Sequence, residues 1–143
     1  MKIFNSQRGQ SLVEVAITMV IMLVLLLSTF EFGYAFLYYI TIKDAAEEGA
    51  IYGSLHPSSS CNTTLTSWVH NSSFSPVINI SDPSITTVAI SRTGTTPGNT
   101  ITVTVTHRYS IITPLVSTVL GRNDIDLHAS VTNTILTNVT TCN

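Results

Sequence analysis

A single carboxylate lies near the start of the longest apolar stretch of this 143-residue chain. Residues 12–30 contain Glu14 as their only charged residue, and a carboxylate inside a membrane is costly unless a cation lies near it. A short polar, basic leader precedes this stretch and ends at Gly9. Cleavage after Gly9 would free an α-amine at Gln10, about one helical turn from Glu14. That amine, on the same chain or on a neighbour's, could neutralise the carboxylate.

The apolar stretch predicts a membrane-spanning helix. A helix over 12–30 would be about 28 Å long, close to the thickness of a bilayer's hydrocarbon layer. Lys2 and Arg8 precede it and no acidic residue does, so the N-terminus is expected in the cytoplasm and everything after Phe30 outside. A plain signal anchor and a removed signal peptide are the alternatives. The signal peptide is disfavoured because the apolar run is long and no small-x-small cleavage site ends it.

The sequence contains none of the common local motifs for catalysis, phosphate binding or metal binding. There is no Gly-x-Ser-x-Gly elbow, no glycine-rich phosphate loop and no Cys-x-x-Cys pair. His56, His70, His107 and His128 are scattered, and we expect His107 and His128 on the polar faces of strands. We therefore predict no enzyme activity, catalytic residue, metal or cofactor, although a site assembled only in space leaves no local motif. A net charge of −2 argues against nucleic acid as a partner.

Cys61 and Cys142 would both lie outside the cell membrane in this topology. An oxidising compartment favours a disulfide between them. The bridge would close a loop of about 80 residues and stabilise the domain by about 4 kcal/mol through chain entropy. Free thiols and bridges between subunits remain the alternatives.

The apolar helix is expected to continue beyond the membrane to about residue 54. Aromatic residues cluster after the apolar stretch, as they do in the interfacial belt of a membrane protein. Glu31 lies at this outer boundary and is expected to reach water. Gly49 and Gly53 predict either a close approach of another element or the end of the helix near Gly53.

Alternating residues in the second half of the chain predict β-strands. In the strand predicted over 100–109, apolar residues at 101, 103 and 105 alternate with threonines at 102, 104 and 106. Over 124–136, apolar residues alternate in the same period with polar ones. Thr113 and Pro114 predict the start of a short helix, with Thr113 as its N-cap, which Gly121 ends. Weaker signals predict a helix over 64–71 and strands over 77–80 and 85–91.

These elements predict an α+β fold, in which a long N-terminal transmembrane helix continues into a small antiparallel-sheet outer domain. The helix beyond Tyr34 and the short helix after Pro114 are the expected covers of the sheet's apolar face. The predicted divisions are a leader over 1–9, a transmembrane and membrane-proximal helix over 10–54, and an extracytoplasmic α+β domain over 55–143.

The N-terminal residues resemble those of prepilins, which an inner-membrane aspartyl peptidase cuts after a glycine that precedes an apolar helix. Gly9 and Gln10 match the cleavage site, and Glu14 matches the glutamate at the fifth mature position, which is thought to guide register during assembly. The short leader and a mature chain that begins with Gln10 are similar to those of the Tad (tight adherence) branch of this family. Residues 31–34 (EFGY), 44–50 and 100–132 resemble TadE-like proteins, although the family often has Arg where Glu48 stands.

The resemblance implies a pilin-like, TadE-like pseudopilin, a minor component in the assembly of a Tad/Flp-type adhesive pilus. Its partners would be other pilin subunits, which contact helix 12–42, together with the prepilin peptidase and the membrane. It would cross the cytoplasmic (inner) membrane once, and incorporation into an extracellular pilus is a further expectation. The alternatives are a major filament subunit and a membrane-anchored surface binding or adhesion domain that does not assemble.

Overall fold

One continuous helix, α1 (Arg8–Leu55), forms both the apolar N-terminal segment and one wall of the outer domain. The computed structural model describes residues 8–72, 78–139 and 141–142. The other elements are, in chain order, a 3-10 turn (Ser59–Cys61), α2 (Asn62–Asn71), β1 (Thr86–Arg92), β2 (Thr100–Ser110), α3 (Pro114–Leu120) and β3 (Asp124–Thr134). The predicted α+β fold, a long apolar helix followed by a small antiparallel sheet, is confirmed.

The two ends of α1 have different surroundings. The part over 12–30 is exposed almost throughout, and it is long and apolar enough to cross a membrane. Nearer the C-terminus, Ile42, Ala45, Ala46 and Ala50 are buried. Their spacing of three or four residues places them on one face of the helix, and the alanines allow the sheet to approach closely. The last turns of α1 therefore belong to the core of the outer domain.

The three strands form an antiparallel sheet in the order β1-β2-β3. On the central strand, Ile101, Val103 and Val105 are fully buried. The even-numbered threonines lie on the opposite face, where the hydroxyl groups of Thr102 and Thr132 are 2.8 Å apart. The alternation predicted for these two strands is confirmed. It places one apolar face of the sheet against α1 and leaves a hydroxyl-rich face outside.

Two glycines allow α1 to pack closely against α2 and the sheet. A Cβ atom at Gly49 would lie 2.6 Å from the Cγ2 of Val69, and one at Gly53 would collide with Ile101 and Leu65. Because these contacts are in the domain core, no larger residue fits at either position without displacing its neighbours. The close approach predicted at Gly49 and Gly53 is confirmed.

The segment between α2 and β1 differs from its prediction. The helix predicted over 64–71 is confirmed as α2, but 78–80 form no strand, and Val77 lies outside the described residues. Ile78 and Ile80 are buried, so the apolar pattern reflects the core and not a sheet. The carbonyl of Ile80 lies 3.0 Å from the Nδ1 of His70, a contact that ties the segment to α2.

The short helix α3 forms where the sequence predicts it, but it does not cover the sheet. Pro114 begins it, and Gly121 ends it in the left-handed region with a φ of 66°. No residue of α3 is buried. Since Ser110 pairs with Asp124, α3 lies in the connection beyond the end of the sheet, and α1 provides the cover instead.

Cys61 and Cys142 form a disulfide in the structure, with their Cα atoms 5.3 Å apart. It joins the start of α2 to the C-terminal tail across a separation of 81 residues. The hydroxyl of Thr137 donates a hydrogen bond to the carbonyl of Leu55, 2.7 Å away, which also holds the tail against the end of α1. Of the alternatives for the two cysteines, the structure contains the bridge within one chain.

Candidate functional site

The predicted cleavage and register residues lie at the exposed N-terminal end of α1. Gly9, Gln10 and Glu14 are all exposed, and within the described part of the chain no atom outside the helix approaches Gly9 closely. Gln10 and Glu14 are four residues apart, which places them on the same face of the helix, one turn from each other. An α-amine created at Gln10 would therefore be released beside the carboxylate. Cleavage after Gly9 and the register role of Glu14 stay predictions.

A second carboxylate, Glu31, is buried where α1 meets the outer domain. It is only 6% exposed, so the expectation that it reaches water is wrong. Its Oε1 atom accepts hydrogen bonds from the hydroxyl of Tyr109 at 2.6 Å and from the backbone N–H of Ile112 at 3.0 Å. Its Oε2 atom accepts from the backbone N–H and the hydroxyl of Thr113, at 3.0 and 2.9 Å. We call the group of Tyr109, Ile112 and Thr113 the Glu31 socket.

The chain between β2 and α3 presents the donors of this socket. Tyr109 is near the end of β2, and Ile112 and Thr113 follow before the first helical residue, Pro114. Backbone N–H groups at the start of a helix have no partner inside it and need one elsewhere. Thr113 is the N-cap residue as predicted, but its hydroxyl makes no cap hydrogen bond and donates to Glu31 instead. Glu31 thus serves as the acceptor for this turn.

The electrostatics of the socket keep the carboxylate charged. Burial raises the pKa of Glu31, but the hydrogen bonds from Tyr109, Ile112 and Thr113 together lower it further, and the net pKa is below its ordinary value. Burial raises the pKa of Tyr109, and the hydrogen bond to Glu31 and its negative charge raise it more. At neutral pH the carboxylate is therefore ionised and the phenol holds its proton as a donor.

An aromatic cluster lies next to the socket and includes its Tyr109. The ring of Tyr38 stacks on His107, with centroids 4.8 Å apart, and meets Tyr109 edge-on at 5.3 Å. The prediction that His107 lies on a polar strand face is wrong: it is 3% exposed, and its Nδ1 is 2.8 Å from the hydroxyl of Thr86. Burial lowers the pKa of His107, which favours the neutral ring at pH 7.

The two-residue period of β2 would have predicted correctly that His107 is buried. It shares the odd positions of Ile101, Val103 and Val105, and these are the buried face. His128 occupies an outward position on β3, as predicted, where its ring contacts the hydroxyl of Thr106 at 2.9 Å. Among the described residues, no group of three or more histidine, cysteine or acidic side chains is arranged to hold a metal ion.

The comparison with known families decides what kind of N-terminal segment this is. The family described as TadE-like protein matches residues 9–50. This segment is TadE-like. It contains Gly9, Gln10 and Glu14, and also Glu31 of the socket, but it ends before α2. No curated protein and no solved structure matches the chain. The resemblance over 100–132 lies outside the matched residues and stays a prediction.

Proposed function

We propose that this chain is a minor pseudopilin that takes part in assembling a Tad/Flp-type adhesive pilus. The observation that carries the proposal is the extent of the TadE-like segment, which begins at Gly9 and covers the whole exposed apolar part of α1. The protein would cross the cytoplasmic membrane once, with its N-terminus inside and its disulfide-bonded domain outside.

The first step would be removal of the leader by a prepilin peptidase. Hydrolysis of the Gly9–Gln10 bond leaves a carboxylate on Gly9 and an amine on Gln10. Both residues are exposed, which gives a peptidase access to the bond. The new amine lies about one turn from Glu14 and would offset part of the cost of placing that carboxylate near the membrane.

The exposed helix offers pilin partners a surface with few polar groups to satisfy. The hydroxyls of Thr18, Ser28 and Thr29 each donate to a carbonyl one turn earlier on α1, at 2.8 Å. Association with other helices would therefore depend on close packing, and Glu14 would supply the polar contact that distinguishes one register from another. A shift of one turn would move Glu14 by about 5.4 Å, which is enough to separate it from a cation on the neighbouring chain.

The Glu31 socket would transmit the position of the helix to the outer domain. It joins α1 to the turn before α3 through four hydrogen bonds, so the domain cannot rotate about the helix without breaking them. An assembly built from the apolar helices would therefore present the outer domains in a defined orientation.

Substitutions at the cleavage and register residues test this proposal in cells that build the pilus. Gly9→Val should abolish the size decrease that marks leader removal, whereas Glu14→Gln should leave removal intact and reduce the protein in sheared filament fractions about tenfold or more. The matched control is Glu48→Gln, the same change at an exposed position of the same helix. Normal processing of Gly9→Val, or normal assembly of Glu14→Gln, would contradict the proposed roles.

Abundance separates the minor pseudopilin from the major-subunit alternative. A minor component should be present at a small fraction of the main pilin in sheared filaments, and equal or greater amounts would identify a major subunit. A mature chain that retains its leader and stays in the membrane would instead support the non-assembling surface domain.

A further inference from the structure

An open apolar groove separates α1 from α3. Its volume is about 370 Å³, and its lining is almost wholly apolar. Val24, Ser28 and Phe32 contribute from α1, and Leu115 and Val119 contribute from α3. Because α3 lies beyond the end of the sheet, the groove opens beside the apolar helix, and Tyr109 and Ile125 at the ends of β2 and β3 also line it.

The groove extends into the part of α1 that would lie inside a membrane. Val24 and Ser28 belong to the apolar stretch over 12–30, and Val24 is about 10 Å along the helix axis from Glu31. An element that shares a groove with these residues lies at or below the outer surface of the hydrocarbon layer. The exposed apolar surface of α1 thus continues across the groove onto α3.

The side chains of α3 suit an apolar environment better than water. None of its seven residues is charged, and none is buried in the protein. Val119 is 78% exposed and Leu120 is 53% exposed. Ile112, just before the helix, is 60% exposed. A short helix that covered a soluble domain would turn such residues inward and present polar ones to water.

Several polar groups at the two ends of α3 have partners within the protein. The carboxylate of Glu31 accepts hydrogen bonds from the N–H groups of Ile112 and Thr113, just before the helix. The hydroxyls of Ser117 and Thr118 both donate to the carbonyl of Pro114, and the carbonyl of Ser117 accepts two backbone N–H groups. These bonds reduce the number of polar groups that would lack a partner if α3 entered an apolar phase. Unpaired backbone groups are the main obstacle for segments that enter a membrane without spanning it.

We propose that α3 rests in the outer leaflet of the membrane and that phospholipid acyl chains fill the groove between α1 and α3. The uncharged surface of α3, continuous with the apolar surface of α1, favours lipid as the occupant. Arg122, exposed just after the Gly121 that ends α3, can reach the phosphate groups of the same lipids. The outer domain would then be held at the membrane by two elements. The proposal rests on membrane anchoring by α1 and not on leader cleavage.

Quenching of tryptophan fluorescence by brominated lipid tests the proposal in the full-length chain. Trp68 is the only tryptophan of the sequence and lies on α2, in the outer domain. In a Trp68→Phe background, Val119→Trp reports on α3 and Phe30→Trp reports on the apolar part of α1; both positions are exposed, so neither change disturbs packing. Each protein is reconstituted in phosphatidylcholine–phosphatidylglycerol vesicles, with and without phosphatidylcholine brominated on its acyl chains.

The expected result is blue-shifted emission from Val119→Trp and quenching of about twofold or more, comparable to Phe30→Trp, while native Trp68 is quenched little. Quenching of Val119→Trp as weak as that of Trp68, with Phe30→Trp quenched, would overturn the proposal. Lack of quenching at Phe30→Trp would overturn membrane anchoring itself, and the proposal with it. A blue shift that appears only at high protein-to-lipid ratio, without quenching, would show that a second copy fills the groove and would overturn the lipid assignment.

Discussion

The Glu31 socket makes a strong prediction about how the outer domain is stabilised. Glu31→Gln keeps the size and shape of the side chain but replaces one carboxylate oxygen with an amide nitrogen. Each oxygen of Glu31 accepts two hydrogen bonds, so the amide nitrogen would face two donors and could accept from neither. The two bonds at the remaining oxygen would also lose the strength that comes from the negative charge.

The expected loss of stability follows from these four bonds. A hydrogen bond to a charged group contributes about 1.5–3 kcal/mol, and a donor left without an acceptor costs about 1–3 kcal/mol when it is buried. Several of the donors are only partly buried, which favours the lower values. We therefore expect Glu31→Gln to reduce the free energy of unfolding of the outer domain by about 3 kcal/mol, which for a domain of this size lowers Tm by roughly 15 °C.

Unfolding of the purified chain in detergent micelles measures this effect. Trp68 stacks on Tyr52, with ring centroids 5.5 Å apart, so its fluorescence reports on the outer domain rather than on the apolar helix. Glu48→Gln is the matched control at an exposed position of α1 and should change stability by less than about 0.5 kcal/mol. If Glu31→Gln unfolds at the same denaturant concentration as this control, the socket does not stabilise the domain and the reasoning is refuted.

Four further predictions concern pH, packing and the disulfide. Because the pKa of Glu31 is lowered by folding, the wild-type domain should lose stability as the pH falls below about 4.3, and Glu31→Gln should lack this loss in acid unfolding curves. Burial lowers the pKa of His107, so a separate loss should begin as the pH falls below about 6.5, and it should be absent in His107→Gln. Gly53→Ala should cost about 1–3 kcal/mol in denaturant unfolding, since the new methyl group meets the core, whereas Gly33→Ala, which has open space, should be neutral or stabilising. Reduction of the disulfide should lower the free energy of unfolding by about 4 kcal/mol, and equal stability with and without reductant would contradict that estimate.

The elements that the sequence predicted well are those with a strong local pattern. The apolar run, the alternation on β2 and β3, and the proline and glycine at the ends of α3 each depend on residues a few positions apart. Their physical causes, helix length, strand period and allowed backbone angles, act within the element itself. The strand predicted over 77–80 failed in the described part, 78–80, because a strand needs a neighbour, and these residues contact α2 instead.

No local pattern in the sequence predicts the hydrogen bonds between Glu31 and the Glu31 socket. Its donors are 78 to 82 residues away in the chain, and no spacing rule connects them to Glu31. One signal was present: a glutamate directly after an apolar run, where burial would require hydrogen-bond donors. For α3, the sequence PLVSTVL lacks a charged face, which already argued against a simple cover for a domain in water.

The roles of Gly9, Gln10 and Glu14 depend on molecules outside the single chain. Their spacing predicts a cleavage site and a nearby carboxylate, and the structure shows that all three are exposed. A peptidase must act on the first pair, and a neighbouring helix must meet the third.

The mature N-terminus tests the central claim most directly. Intact-mass and N-terminal peptide analysis of the protein from native membranes, without reductant, should show a chain that begins at Gln10 and is lighter by two hydrogen atoms because Cys61 and Cys142 are bridged. That result would establish leader removal after Gly9. A mature protein that still begins at Met1 would contradict the prepilin account and leave a signal-anchored surface domain in its place.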